Sequence, residues 1–297
     1  MHARVTERSL VHPLFHGVRL SGADAGAGVR LSTEAGWNQT VADWHFLLSV
    51  GTGFGFANSE GELVASAVTL SYPEGIAWVG MVLVTAQARR QRLATLLMQR
   101  VLTHCAEERL VAQLDATPAG QTVYSAIGFH GIGKICRWRR GEGQLIASIP
   151  AIGSALRPLS AGDLEGLVKW DCPRYGADRG AVLRYLAASC PGMAFQATAA
   201  DRGLHGYCLG RPGRTATQIG PLVAESEATA CDLLHAVLQQ VHGPVLLDVV
   251  VGCSGVERLL HAHGFRPERE FLRMARGVAG AGEPPDRIYA TAGPELG

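Results

Sequence analysis

Apolar and polar positions along this chain switch repeatedly between the two-residue and 3.6-residue periods. Residues 77–84, AWVGMVLV, are apolar almost without a break, the pattern of a central strand covered on both faces. A basic stretch follows, Arg89-Arg90-Gln91-Arg92. Apolar side chains then recur at Leu93, Leu96, Leu97, Val101 and Leu102, which predicts a helix over residues 92–108 packed on a sheet. Upstream, residues 40–48 read as a helix with Trp44 on its buried side. Residues 53–56 and 63–70 read as strands around a turn at Asn58-Ser59-Glu60-Gly61. Downstream, residues 110–114 predict another strand, and residues 123–127 a short helix closed by Gly128-Phe129. Residues 1–15 read as a loose lead. The alternation predicts an α/β fold built on a central mixed sheet flanked by helices.

The same pattern returns later in the chain. Leu114-Asp115 ends a strand, and Gly128-Phe129 follows a short helix; Leu247-Asp248 and Gly264-Phe265 repeat this arrangement. After each glycine, FHGIGKICRWRRG and FRPEREFLRMARG align without a gap. They share the phenylalanine, one arginine (Arg137, Arg273), a second arginine (Arg140, Arg276) and a closing glycine (Gly141, Gly277). Such self-similarity predicts two copies of one fold, residues 16–146 and 155–297, joined near 147–155. A chain of 297 residues is comfortable for two domains of roughly 100–200 residues each.

Composition narrows the function classes. A net charge of +1 supplies no basic field that would argue for nucleic acid. No apolar run approaches the ~18 residues of a membrane helix, and residues 1–17 lack the apolar core of a secretory signal. The seven cysteines are odd in number, scattered and without a C-x-x-C pair, which suits thiols in a reducing compartment rather than a disulfide frame or zinc site. The expected location is cytoplasmic. His261 and His263 lack the spacing of a helical metal pair and read as a surface helix, so no metal is expected. Lys134, Arg137, Arg139 and Arg140 read as a solvated basic face.

Chemistry concentrates after the apolar strand. A helix start offers unpaired N–H groups and a positive dipole end to a phosphate. Three arginines there oppose the dipole unless an anion joins them, so the stretch predicts a phosphorylated cofactor more readily than a merely solvated helix start.

At this point the residues resemble a known family. Residues 84–94, VTAQARRQRLA, resemble motif A of the GNAT superfamily of N-acetyltransferases. Tyr124-Ser125-Ala126-Ile127-Gly128-Phe129 resembles its motif B. Residues 35–40 (AGWNQT), 114–120 (LDATPAG), 209–214, 218–224 and 292–297 are similar to the YitH-like branch, tandem proteins with a distinct C-terminal GNAT-like domain. The resemblance covers nearly the whole chain. It implies acetyl-CoA as donor co-substrate and an amine as acceptor; charge and hydropathy had already argued for no nucleic-acid and no membrane partner. It also implies that the strand backbone at Val82, Leu83 and Val84 pairs with the pantetheine arm. The N–H groups of Arg89, Arg90, Gln91, Arg92, Leu93, Ala94 and Thr95 would cradle the pyrophosphate. Motif A carries glycine where this chain has Arg92; glycine permits positive φ and close approach, whereas arginine adds charge and a β-carbon.

Catalytic and acceptor-binding residues follow from the same resemblance. Tyr124 matches the tyrosine that protonates the leaving thiolate, against the alternative of a tyrosine packed on the sheet. Asp115, at a strand end where ligands of open sheets collect, either orients a cationic amine and passes a proton or serves as a turn and cap residue. Trp37 and Asn38 are expected near the acceptor cleft, or alternatively as a buried tryptophan and a cap. The second copy has Leu260 where the first has Tyr124, and Ala224-Glu225-Ser226-Glu227 in place of the arginines, so it reads as non-catalytic. The chain is read as an N-acetyltransferase of the GNAT type. The alternative is a non-catalytic acyl-CoA-binding or regulatory module. Acceptor identity and oligomeric state are not written in the sequence.

Overall fold

A computed structural model of the chain describes residues 6–142, 155–198, 203–277 and 287–297. The chain divides into two compact units, Met1–Leu114 with Ala275–Val278, and Asp115–Met274 with Ala279–Gly297. The joint expected near 147–155 lies largely outside the described residues.

The first unit contains β1 (Thr6–Val11), β2 (His16–Leu20), α1 (Ala25–Glu34), α2 (Val41–Val50), β3 (Thr52–Ala57), β4 (Leu63–Tyr72), β5 (Ile76–Val84), α3 (Leu93–Glu107) and β6 (Val111–Ala116). The last two residues of β6 count with the second unit. Its strands stand in sequence order, antiparallel from β1 to β5, with β6 parallel to β5. Part of the stretch read as a loose lead is thus strand β1. Its sequence, TERSLV, places charges where a strand pattern would show apolar residues.

Helix α2 starts where a capping box predicts. The Thr40 hydroxyl accepts from the Asp43 N–H at 3.2 Å, and the Asp43 carboxylate accepts from the Thr40 N–H at 2.7 Å. Helix α1 was not foreseen, because its sequence AGAGVRLSTE is rich in glycine, which weakens a helix by about 1 kcal/mol per residue relative to alanine. Packing explains it. A β-carbon on Gly28 would lie 2.4 Å from the Trp44 ring, so only glycine lets the two helices approach this closely. Trp44 is fully buried, and its indole N–H donates to Ser32 Oγ at 3.1 Å.

The second unit contains α4 (Pro118–Ala126), β7 (His130–Arg140), β8 (Ala155–Pro158), α5 (Leu164–Tyr175), α6 (Gly180–Ser189), β9 (Phe195–Thr198), β10 (Leu204–Arg211), β11 (Thr217–Ala224), α7 (Glu227–Leu238), β12 (Val245–Val250), α8 (Ser254–Ala262), β13 (Arg266–Arg276) and β14 (Ile288–Ala290). The strand order is β13-β7-β12-β14-β11-β10-β9-β8. The compact units therefore do not coincide with the halves drawn from the repeat. Strand β7 closes the first repeat in sequence, yet it pairs antiparallel with β12 over Ile135–Arg140 against Val245–Val250.

That pairing corrects the reading of a solvated basic face for Arg137 and Arg140, whereas Lys134 is exposed as expected. Arg137 donates to both carboxylate oxygens of fully buried Asp248, each at 2.7 Å. Trp138 and Arg140 are buried, and Arg140 Nη2 donates to the Val241 carbonyl at 3.3 Å. Arg139 reaches Glu268 at 2.8 Å. His263, expected on a surface helix, is also fully buried and meets His235 at 3.2 Å. Burial, with His235 and Arg140 nearby, pushes its pKa down to about 4. His261 stays exposed and lies edge-on to Trp138.

Candidate functional site

In the first unit the site begins with a break in a strand. Met81 has φ of 53° in the middle of β5, and the β4–β5 register shifts between Ser66 and Val68. The Ser66 hydroxyl donates to the Met81 carbonyl at 2.8 Å, which satisfies the group that the bulge removes from the ladder. On its other side β5 pairs with β6 only over Ile76–Trp78 against Val111–Gln113. Past Trp78 the parallel ladder ends, and from Gly80 onward buried residues alternate with half-buried ones. The expectation of burial on both faces holds only for Ala77–Val79. Leu83 and Val84 pair with Ser66 and Ala65 of β4, Val82 lies within the register shift, and none of the three has a β6 ladder partner.

The loop after β5 makes one 3-10 turn at Ala86–Ala88 and reaches α3 through Arg92. Arg90 and Arg92 both adopt left-handed backbone, with φ of 62° and 60°. The glycine-type conformation of motif A is kept here without glycine. No side chain caps α3 and no acidic residue stands in its first turn, so the N–H groups of Leu93, Ala94 and Thr95 face outward at the positive end of the helix. Arg89, Arg90 and Arg92 are exposed around them. The loop is fixed at its start by Glu34 of α1, which accepts from the Ala86 N–H at 2.6 Å.

This geometry carries a stability prediction. Left-handed backbone costs a non-glycine residue about 1–2 kcal/mol, and glycine adds back about 0.4–1 kcal/mol of unfolded-chain entropy. Arg92→Gly is therefore expected to raise stability by roughly 0.5–1 kcal/mol in urea unfolding. A loss of stability would show that the arginine side chain contributes more than its backbone costs.

Trp37 and Asn38 lie in the α1–α2 connection of this unit. The Trp37 N–H donates to the Ser32 carbonyl at 2.8 Å, Trp37 is half-buried and Asn38 is buried. The helix cap is Thr40, not Asn38. Beside the Glu34–Ala86 junction is a cavity of about 480 Å³, with Arg30, Glu34, Asn58, Glu62, Thr85 and Gln87 on its wall. None of the residues expected to bind cofactor or acceptor lines it.

Tyr124 and Asp115 belong to the second unit. Tyr124 is half-buried on α4, its ring 5.9 Å from that of Phe129. It lies over Gly120, where a β-carbon would come within 2.8 Å of the ring. Burial pushes its phenol up to about 12, so it is a protonated donor through the neutral range. Asp115 is a different case. Its side chain is 1% exposed, and Arg273 Nε and Nη2 donate to its two oxygens, both at 2.9 Å. Both oxygens of this buried carboxylate are committed to one guanidinium.

The pairing of Asp115 with Arg273 is not visible in local sequence. The signal was present in the repeat: Arg137 aligns with Arg273, and Asp115 with Asp248. The structure joins each strand-end aspartate to the arginine of the other repeat. Among the described residues no group of histidine, cysteine and acidic side chains is arranged to hold a metal, and no helix is long and apolar enough to cross a membrane. The seven cysteines are free thiols.

Residues 29–129 match the model of the acetyltransferase (GNAT) family, and residues 167–290 match that of an acetyltransferase (GNAT) domain, together more than half of the chain. The chain is 25% identical over 244 residues to the uncharacterized N-acetyltransferase YitH of Bacillus subtilis, covering 82% of this chain and 84% of that one. It is similar in fold to a putative acetyltransferase from Pyrococcus horikoshii, with a TM-score of 0.79, 18% identity and 99% of each chain covered. A tandem GNAT protein from the clavulanic acid biosynthesis pathway matches with a TM-score of 0.62 and 16% identity, over 90% of this chain and all of that one.

Proposed function

Because the chain belongs to the GNAT acetyltransferases, we propose that this acyltransferase moves an acetyl group from acetyl-CoA to an amine nitrogen by direct attack. The observation that carries the reading is the bulged strand β5, parted from β6 after Trp78 and followed by an uncapped, arginine-rich helix start. In this reading the backbone of Val82, Leu83 and Val84 pairs with the pantetheine arm as an added strand would. The N–H groups from Arg89 through Gln91 and Arg92 to Leu93, Ala94 and Thr95 take the pyrophosphate, with the arginine charges beside it.

Tyr124 gives its proton to the departing thiolate as the tetrahedral carbon collapses, and the proton shed by the attacking nitrogen leaves to solvent, from which the phenol is reprotonated. The acceptor amine, small molecule or protein side chain, is bordered by Trp37 and Asn38. Asp115, tied to Arg273, serves to hold the turn between β6 and α4. Residues 16–146 are the catalytic copy, and residues 155–297 are a degenerate one in which Leu260 replaces the tyrosine. The scattered free thiols support a cytoplasmic location.

The direct test is release of free thiol from acetyl-CoA in the presence of a panel of small amines, polyamines and lysine peptides. Amine-dependent release is expected. Tight acetyl-CoA binding with no release from any of them would favour the non-catalytic alternative.

A further inference from the structure

In the second repeat, β11 and β12 run parallel and pair over Thr217–Ile219 against Val245–Leu247, as β5 and β6 do over the matching positions of the first. They then part. The gap between them is filled by the chain itself: β14 pairs antiparallel with β11 at Leu222↔Ala290 and Val223↔Ile288, and with β12 at Val249↔Ala290. The Ala224 N–H donates to the Arg287 carbonyl at 3.0 Å, and the Thr291 N–H to the Asp248 carbonyl at 2.9 Å. Both parted edges thus receive their backbone bonds from residues 287–291.

Three further features hold this strand in place. Gly220 has φ of 140°, and a β-carbon there would lie 1.9 Å from the Thr291 carbonyl oxygen, so the strand lies directly on a position that only glycine can occupy. Beyond it, Thr291, Ala292, Glu295 and Leu296 are buried, with Glu295 ion-paired to Arg211. The anion end is filled as well. Glu225 pairs with Arg174 and Arg287, and the start of α7, the helix that follows β11 as α3 follows β5, is capped by the Ser226 hydroxyl, which accepts from the Thr229 N–H at 3.2 Å. Glu227 stands in the first turn of α7, so negative charge already occupies the positive end that a phosphate would need.

We infer that the second repeat retains a cofactor-type cleft but is its own ligand: residues 287–291 replace a pantetheine arm, Ser226 and Glu227 occupy the helix start that an anion would need, and the cleft takes no CoA. The chain then binds one CoA and not two. This rests on the proposed acetyl-CoA reading only for the choice of probe.

Calorimetric titration of the full chain with CoA is expected to give one equivalent, abolished in the variant Arg89→Glu/Arg90→Glu/Arg92→Glu. Two equivalents, or binding that survives in that variant, would place CoA in the second cleft and overturn the inference. No binding by the unaltered chain would count against the first-repeat site alone, because a sealed second cleft also predicts none. Hydrogen exchange on the same full chain gives an independent readout. Amides of residues 288–291 are expected to stay protected when CoA is saturating, and CoA-induced loss of that protection would overturn the inference. Gly220→Ala, which forces the Thr291 carbonyl aside, is expected to speed exchange of the Thr291 amide at least tenfold; unchanged exchange there would also overturn it. If that variant does not fold, the stoichiometry and exchange of the unaltered chain still decide.

Discussion

Tyr124→Phe is expected to lower kcat for amine acetylation by about 10²-fold or more while leaving CoA affinity within a factor of two or three. Removing a general acid typically costs 10²–10⁴-fold, and the phenol is the only group that this substitution deletes. The ring itself should stay in place, because Phe129 packs against it and Gly120 leaves the space beneath it open. Gly120→Ala is the matched control: it keeps the hydroxyl but displaces the ring, so it should also depress kcat. The pH profile separates the roles further. Burial raises the phenol to about 12, so it stays protonated well beyond the point where an ordinary tyrosine, near pKa ~10, begins to ionise. Loss of the acid form should therefore not limit kcat until well above pH 10, and a basic limb near pH 9–10 that vanishes in Tyr124→Phe would contradict this. Full activity in Tyr124→Phe would remove the tyrosine from the mechanism.

What the sequence revealed, and what it hid, divides along physical lines. Long periodic elements were legible. The apolar run of β5 and the stripe of α3 each encode a local preference strong enough to read alone, whereas the cap of α2 was read at Asn38 and is Thr40. Helix α1 was not legible, because its glycines argue against a helix in isolation and are there for the approach of Trp44. Arg92 was read as a departure from glycine, and its backbone takes the glycine-type conformation all the same. Residues 134–140 show the converse failure. Four basic side chains in one strand suggest solvent, and the acids that pair with two of them, Arg137 and Arg139, lie more than a hundred positions away. No window of local sequence carries that information. Only the repeat did, by aligning two arginines and two aspartates that were not yet recognised as partners.

Those partners set the second large expectation. Asp248→Ala should destabilise the protein by about 3–5 kcal/mol, the usual cost of leaving one member of a buried pair without the other. Asp248 is fully buried and its carboxylate accepts from Arg137 twice and from Gln218 Nε2 at 3.0 Å, so its loss strands one charge and one amide. That is a large share of the 5–15 kcal/mol by which domains are typically stable. The partner is the better probe of cause. Arg137 is half-buried, flanked by the Phe271 ring at 5.2 Å, and Arg137→Met keeps much of that apolar packing. If the cost of Asp248→Ala is mainly the uncompensated guanidinium, then Asp248→Ala/Arg137→Met should be more stable than Asp248→Ala alone, by roughly 1–3 kcal/mol in a double-mutant cycle. Strictly additive losses would instead mean that the two side chains stabilise β7 and β12 independently. In that case the pairing of β7 with β12 would depend on backbone bonds and apolar burial rather than on the ion pair. Asp115 and Arg273 provide the parallel cycle, and coupling there should be of the same sign because the geometry is the same: a carboxylate with both oxygens committed to one guanidinium.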